Sequence, residues 1–96
     1  MENPLLGKRV IVRTYSAGVH IGTLVAADGM EAHLKDGLRL WRWEGGGLSL
    51  SAIATNGLKG GRLNKTPEIV LTNAIEYILL SDAAEATFER FIEDQS

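Results

Sequence analysis

Four short β-rich runs, all between residues 9 and 43, constrain the fold of this 96-residue chain more than any other feature. They cover residues 9–15, 19–25, 30–35 and 38–43. A period of two divides the first run between two faces, and β-branched residues with this period are typical of a strand. One face carries Val10, Val12 and Thr14, and the other carries Arg9, Ile11, Arg13 and Tyr15. The dipeptides Asp28-Gly29 and Asp36-Gly37 between later runs suit the left-handed positions of tight hairpins. The segment therefore predicts an antiparallel meander.

A glycine triplet at residues 45–47 interrupts this β pattern. Ser49 is then a candidate N-cap for a short helix over residues 50–56, which Gly57 would end. Residues 58–65 are rich in glycine and basic side chains, a composition that favours an exposed loop.

A second β pair is predicted over residues 68–72 and 74–80, which are rich in β-branched and aromatic side chains. Periodicity alone also allows a helix over residues 74–80. Ser81 or Asp82 is placed to cap the final helix, and the spacing of Asp82 and Glu85 resembles a capping box.

These elements predict one mainly β (α+β) domain over residues 1–96, with a β-rich body at 8–80 and a C-terminal helix at 81–96. We expect a small bent antiparallel sheet or barrel of about six strands, with one short internal helix, because closure would protect the sheet edges. Apolar residues on one side of the last helix would either cover the end of a barrel or form a homo-oligomer interface; they are Phe88, Phe91 and Ile92.

Charge divides the chain into a basic body and an acidic tail, although the net charge is only −2. Residues 8–65 hold nine Lys or Arg and four acidic residues, whereas residues 66–96 hold seven acidic residues and one arginine. Such a division indicates a contact between the two parts, a body that meets anions, or simply a soluble surface. Sequence-specific DNA binding is not expected, since no helix-turn-helix pattern is present and the pI is about 5.6.

The sequence also limits the compartment and the chemistry. The absence of cysteine excludes disulfides and thiolate metal sites. The first residues lack the pattern of a signal peptide, and no apolar run approaches the ~20 residues that span a bilayer. We therefore expect a soluble cytoplasmic protein that does not bind membranes.

Catalytic signatures are weak throughout the chain. His20 and His33 fall on different predicted strands, and neither has an acidic residue at metal-ligand spacing. Ser16 and His20 bracket a turn without a nucleophile elbow, and the glycine-rich segments lack the context of a phosphate-binding loop. We expect no catalytic residue, no metal and no cofactor. A phosphodiester-acting enzyme that uses His20 with Arg13 remains a third-ranked hypothesis.

The run Arg39-Leu-Trp-Arg-Trp43 is the most informative candidate for binding. Strict alternation puts Arg39, Trp41 and Trp43 on one face of a strand and Arg42 on the other, among leucines. Indole rings stack on planar bases, and arginine pairs with phosphate or carboxylate. With the first hairpin added, the predicted ligand site comprises Arg13, Tyr15, Ser16, His20, Arg39, Trp41 and Trp43. The alternative is that both tryptophans are core residues.

Several segments of the chain also resemble a family of small, uncharacterised bacteriophage and prophage proteins. They are Arg-Thr-Tyr-Ser-Ala-Gly-Val-His-Ile-Gly-Thr-Leu at 13–24, the Arg-Leu-Trp-Arg-Trp run, Gly45, Leu-Ser-Leu-Ser at 48–51 and Pro-Glu-Ile-Val-Leu-Thr at 67–72. The likeness extends from about residue 8 to residue 80. It implies a phage origin, a compact β-rich fold and an accessory role, and it carries no activity over to particular residues.

Together these features favour a non-enzymatic, phage-encoded accessory binding protein with a counter-defence role in the host cytoplasm. Its partner would be a nucleotide-type small molecule or a host defence protein. The alternative is a structural or assembly component of the virion.

Overall fold

The structure, a computed structural model, describes residues 3–44 and 50–92. Its elements are β1 (Arg9–Thr14), β2 (Val19–Asp28), β3 (Glu31–Glu44), α1 (Leu50–Asn56), β4 (Gly60–Thr66), β5 (Ile69–Leu71), β6 (Ala74–Leu79), α2 (Asp82–Phe88) and a 3₁₀ turn at Glu89–Phe91. The prediction of a mainly β fold with about six strands, one short internal helix and a C-terminal helix is confirmed.

The six strands form one antiparallel sheet in the order β4-β3-β2-β1-β6, and β5 also pairs with β3. The sheet is open, since β4 and β6 lie at opposite ends of this order, so the barrel alternative is not formed by the described residues. The predicted hairpin of β5 with β6 is also wrong, because the two strands pair with β3 and β1 respectively.

The link between β5 and β6 bends the sheet strongly. It is only two residues long, yet it carries the chain from one side of the sheet to the other. The backbone N–H of Ala74 donates to the carbonyl of Met30 at 2.9 Å, and the N–H of Tyr15 donates to the carbonyl of Asn73 at 2.9 Å. These bonds hold the β2–β3 turn and the end of β1 against the same short link.

The predicted turn at Asp36-Gly37 is wrong, because β3 runs through it as one strand of 14 residues. Asp36 takes a positive φ of 52°, and the pairing of β3 with β2 shifts register between Ile21 and Thr23. The dipeptide therefore produces an irregularity within the strand, which twists it without reversing the chain.

The predicted loop over residues 58–65 is also wrong for most of its length, because residues 60–66 form β4. Its backbone pairs with β3, and Leu63 is fully buried in the core. One buried leucine and a ladder of hydrogen bonds are enough to order a segment whose composition is otherwise that of a loop.

Apolar residues cover both faces of the sheet. The helix-side core consists of Ile11, Ile21, Leu38, Leu40, Ile53, Ala54, Leu58, Leu63, Leu80, Ala84 and Phe88. The inner core consists of Val10, Val12, Leu24, Ala32, Leu34, Leu71 and Ala74. The alternation predicted for β1 is thus confirmed, since Val10 and Val12 lie on one face of the sheet and Ile11 lies on the other.

The helices close the helix-side core. The short helix α1 agrees with the predicted 50–56, and Gly57 follows it with φ 85°. Ser81 caps α2, accepting from the N–H of Ala84 at 3.0 Å. The final helix is shorter than predicted, since α2 ends at Phe88; Ser49, the glycines at 45–47 and residues 93–96 lie outside the described residues.

The apolar residues of the final segment pack within their own chain. Phe88 is 1% exposed, and Phe91 and Ile92 are half-buried against the helix-side core. Ile92 also forms a parallel bridge with Leu63 on the outer edge of β4. Among the described residues, no helix has the length and apolar character that crossing a membrane requires.

Candidate functional site

A register shift between β3 and β4 decides how the arginine–tryptophan run is presented. The β4 partners of Leu40 and Arg42 are consecutive residues, so Trp41 is an extra residue on β3. Leu40 belongs to the helix-side core and Trp43 packs against that core. The two residues between them, Trp41 and Arg42, therefore both point away from the helices, as β-bulges commonly arrange.

This bulge corrects the arrangement expected from strict alternation. Trp43 does not share a face with Trp41, and Arg42 does not lie among leucines on the opposite face. Trp41 is 59% exposed, whereas Trp43 is half-buried. Trp43 thus packs on the core and Trp41 is presented to solvent, and a ligand-binding role for either ring stays a prediction.

The bulge gathers a cationic and aromatic surface at the β3–β4 end of the sheet, here called the arginine–tryptophan face. Its members are Arg39, Trp41, Arg42, Arg62 and Asn64. Arg62 and Asn64 flank the core residue Leu63, so alternation directs both away from the helices. Arg42 and Arg62 are directly opposed partners on the two strands, and both are exposed.

Trp41 is held in place on two sides. The guanidinium carbon of Arg39 lies 5.3 Å from the centroid of its ring, a cation–π contact. Its indole Nε1–H donates to Oδ1 of Asn64, which is on the facing strand. A large ring that is both exposed and fixed is pre-organised for stacking, because little rotamer freedom is lost when a ligand binds.

Beside Trp41 lies a hollow of ≈ 580 Å³, here called the end hollow. It is lined by residues 16–19 of the β1–β2 turn together with Arg39, Leu40, Trp41 and Trp43. Gly18 has a φ of 86°, which lets this turn reverse tightly beside the hollow. The lining thus combines two indole rings, an apolar wall and one guanidinium, the composition typical of small-ligand sites.

The first hairpin contributes less to this hollow than the sequence suggested. Ser16 lines it and accepts a 2.5 Å hydrogen bond from Nδ2 of Asn73. Tyr15 is 80% exposed and is not among the lining residues. Arg13 flanks the core residue Ile11 at alternating spacing and pairs with Val19 and Glu76, so it lies on the helix-side face.

His20 lies behind the hollow and is fully buried. Its Nε2 is 2.9 Å from the carbonyl of Ala17; because a carbonyl only accepts, Nε2 carries the proton. Burial lowers the pKa of His20, the bond to Ala17 raises it, and the positive charge of Arg39 on the neighbouring strand lowers it. The neutral ring therefore fixes the turn that lines the hollow, and it has no access to solvent.

The helix side of the molecule has the opposite charge. A second cleft, of ≈ 560 Å³, lies between α2 and the β3–β4 strands. It is lined by Asp36, Asp82, Glu85 and Glu89 against two basic residues, Arg9 and Lys65, and Arg9 is ion-paired with Glu85. An anionic ligand is therefore favoured at the arginine–tryptophan face and disfavoured at this cleft.

Metal chemistry gains no support from the part of the chain that the structure describes, where no group of three or more His, Asp or Glu is placed to hold an ion. His33 pairs with Glu68, with Nε2 and Oε2 2.5 Å apart, on the surface.

The predicted ligand site did not include Arg42, Arg62 or Asn64, which the structure places on the arginine–tryptophan face. Arg62 and Asn64 fell within a predicted loop, and Arg42 was assigned to the wrong face. A one-residue bulge has no reliable signature in a single sequence, because it depends on pairing with a strand about twenty residues away. The sequence therefore held no signal that separates the two tryptophans, since only the fold shows which ring is buried and which is exposed.

The fold and the site define a small, open-sheet β protein with an aromatic and cationic recess at one end. The chain belongs to the family described as "Domain of unknown function (DUF6948)", whose model matches residues 7–88 and so includes all six strands and α2. No curated protein and no solved structure matches the sequence.

Proposed function

We propose that this protein is a non-enzymatic binding protein for an anionic, nucleotide-type ligand that enters the end hollow and stacks on Trp41. The observation that carries the proposal is the state of Trp41, which is exposed yet held by Asn64 and Arg39 at the mouth of a hollow. Base–aromatic stacking contributes about 1–3 kcal/mol per base, so one fixed indole is a substantial anchor.

The rest of the hollow suits the other parts of such a ligand. Arg39 can pair with a phosphate while its stem covers the indole. Leu40, Val19 and Trp43 provide an apolar wall against which a base or sugar loses water. Binding without chemistry agrees with the burial of His20, whose ring is shielded from any ligand in the hollow.

Tryptophan fluorescence gives a direct test, because the chain holds only two tryptophans. In Trp43→Phe the remaining indole is Trp41, and we expect its emission to be quenched by nucleoside phosphates, cyclic nucleotides or ADP-ribose-type compounds. In Trp41→Ala, with Trp43 as the reporter, affinity should fall about tenfold, because the stacking ring is lost.

Thermal denaturation provides the matching measurement. A ligand at a hundred times its Kd stabilises the native state by about 2.7 kcal/mol, which is readily detected as a rise in Tm. If no nucleotide-type compound changes either the emission of Trp41 or the Tm, the proposal is wrong, and a protein partner becomes the better reading of the face.

The biological setting is proposed from the resemblance to phage and prophage proteins. A nucleotide binder of this size would act in counter-defence by sequestering a signal of the infected host. Capture of the tagged protein from infected lysate, with mass spectrometry of released small molecules, should recover a nucleotide from wild type and none from Trp41→Ala. Recovery of the protein from purified virions would instead favour the structural role.

A further inference from the structure

We infer that the ligand carries at least two phosphodiester phosphates, which lie along Arg39, Arg42 and Arg62 while a base stacks on Trp41. The inference rests on the proposed function and specifies its ligand class as an oligonucleotide, linear or cyclic. It comes from the bulge at Trp41, which extends the site beyond the end hollow and onto β4.

The side-chain directions are fixed by their neighbours in the core. Leu40 and Trp43 both pack toward the helices, so Trp41 and Arg42 share the other face. Leu63 is fully buried on the helix side, so its neighbour Arg62 points away from the helices, to the face that carries Trp41 and Arg42. A strand without the bulge would have left Arg42 on the helix side, away from Arg62.

The spacing of the three arginines exceeds the reach of one phosphate. Arg39 and Arg42 pair with Asn64 and Arg62, which are two residues apart on β4, so their spacing along the sheet is about 7 Å, because the bulge takes up the third residue. Arg42 and Arg62 are cross-strand partners, whose Cβ atoms are about 5 Å apart. A mononucleotide stacked on Trp41 can therefore engage one end of this row, whereas a ligand with successive phosphates can follow it.

The charge distribution supports the same ligand. The face presents three guanidiniums around one exposed indole, and Asn64, which orients the ring, is uncharged. The acidic residues around α2 lie across the sheet, on the helix side. An oligonucleotide with several negative charges would thus approach the β3–β4 end of the sheet, where stacking on Trp41 and phosphate contacts coincide.

The test is a fluorescence titration of Trp43→Phe with AMP, a linear dinucleotide, a cyclic dinucleotide and single-stranded oligonucleotides of two to ten residues. Affinity should rise at least tenfold from AMP to the ligands with two phosphodiester groups. If affinity keeps rising with the length of the oligonucleotide, the natural ligand is a linear nucleic-acid strand. If affinity is greatest for the cyclic dinucleotide, the natural ligand is a cyclic signal. Both outcomes support the inference.

Arginine variants separate phosphate contacts from general charge. Arg42→Gln and Arg62→Gln should each weaken oligonucleotide binding about tenfold and lower the dependence of log affinity on log salt by about 0.7. The effect on AMP should be less than twofold. Arg90→Gln, which removes an exposed arginine from the 3₁₀ turn, is the matched control and should change neither.

Failure of this inference differs from failure of the proposed function. If AMP binds as tightly as every longer ligand and neither arginine variant matters, the phosphate row is refuted and the nucleotide site stands. If none of these compounds alters the emission of Trp41, both ideas are refuted. Both arginines are exposed, so we expect their replacement to leave the core unchanged. Circular dichroism melts of the variants check that each is folded.

Discussion

The guanidinium carbon of Arg39 lies 5.3 Å from the centre of the Trp41 ring, while the indole nitrogen of Trp41 is bonded to Asn64 on the next strand. The first contact covers one side of the ring and the second fixes its edge. The ring is nevertheless 59% exposed, so its free side is offered to solvent in a fixed orientation. The indole of Trp41 is thus both restrained and exposed, which distinguishes Trp41 from Trp43.

Loss of the bond between Trp41 and Asn64 should weaken ligand binding without unfolding the protein. We expect Asn64→Ala to lower nucleotide affinity about threefold to tenfold, because one hydrogen bond that orients the indole is lost. In the Trp43→Phe background, the fluorescence anisotropy of Trp41 should fall as the ring gains freedom. Asn56→Ala, at the exposed end of α1, is the control. An unchanged anisotropy would show that Asn64 does not hold the ring.

A Cβ at Gly57 should destabilise the fold more than one at Gly7, although both glycines have a positive φ, of 85° and 82°. At Gly57 the added atom would lie 2.5 Å from Oγ1 of Thr87, which bonds the N–H of Leu58 and the carbonyl of Ala84. At Gly7 nothing lies within 4 Å.

Backbone strain alone should make Gly7→Ala cost about 1–2 kcal/mol of unfolding free energy. Gly57→Ala should exceed that value by at least about 1 kcal/mol, since Thr87 must shift and its bonds between α1 and α2 are disturbed. Urea denaturation of the two variants measures the difference. Equal losses of unfolding free energy in the two variants would mean that Thr87 moves away from the added methyl group without destabilising the contact between α1 and α2.

Acid should destabilise the protein through His20. Its pKa is lowered from 6.5 mainly by burial, so the unfolded chain takes up a proton at a pH where the folded chain does not. Stability is therefore full above about pH 6.5 and falls as pH drops from there toward the lower pKa of the folded state. Within that window the loss is at most about 1.4 kcal/mol per pH unit.

Urea denaturation at pH 7.5 and pH 5 checks this prediction. His20→Gln should lose the part of the pH dependence that the buried ring causes, whereas His33→Gln should retain it. A wild-type protein equally stable at both pH values would show that His20 is free to protonate in the folded state.

The final segment should contribute to stability in proportion to its burial. Phe88→Ala removes a ring that is 1% exposed and should cost about 3–5 kcal/mol. Phe91→Ala removes a half-buried ring and should cost about 1–2 kcal/mol. Thermal denaturation of both variants gives the comparison. Similar losses would contradict the packing described for Phe88.

Oligomerisation through this segment stays a prediction. Phe88 makes its contacts inside its own chain, which leaves half-buried Phe91 and Ile92 as the surface that a second copy could meet. Light scattering of wild type should give a dimer or larger mass if that surface is used, and Phe91→Ala should return the mass of one chain. A single-chain mass at high concentration would contradict the interface.

Much of the fold follows from local pattern. The alternation in β1 and β2, the cap at Ser81 and the glycine after α1 each specify their own element, because strand period and capping depend on neighbours in sequence. The same is true of the first hairpin turn at Gly18. These signals predicted a mainly β protein, the bounds of α1 and the start of α2.

What the local pattern could not specify was which strands meet. Asp36-Gly37 suits a turn, yet pairing with β2 on one side and with β4 and β5 on the other keeps β3 continuous. Residues 60–66 have the composition of a loop, and burial of Leu63 together with pairing to β3 makes them a strand. In both cases backbone hydrogen bonds between distant segments outweigh local preference.

By itself the sequence determined that Arg39, Trp41 and Trp43 were the groups worth following, because their chemistry is independent of the fold. Only the tertiary structure decided that Trp43 packs on the core, that Trp41 is exposed, and that Arg42 joins Arg62. A single extra residue opposite β4 changes the face of every side chain beyond it, and that register is set by contacts across the sheet.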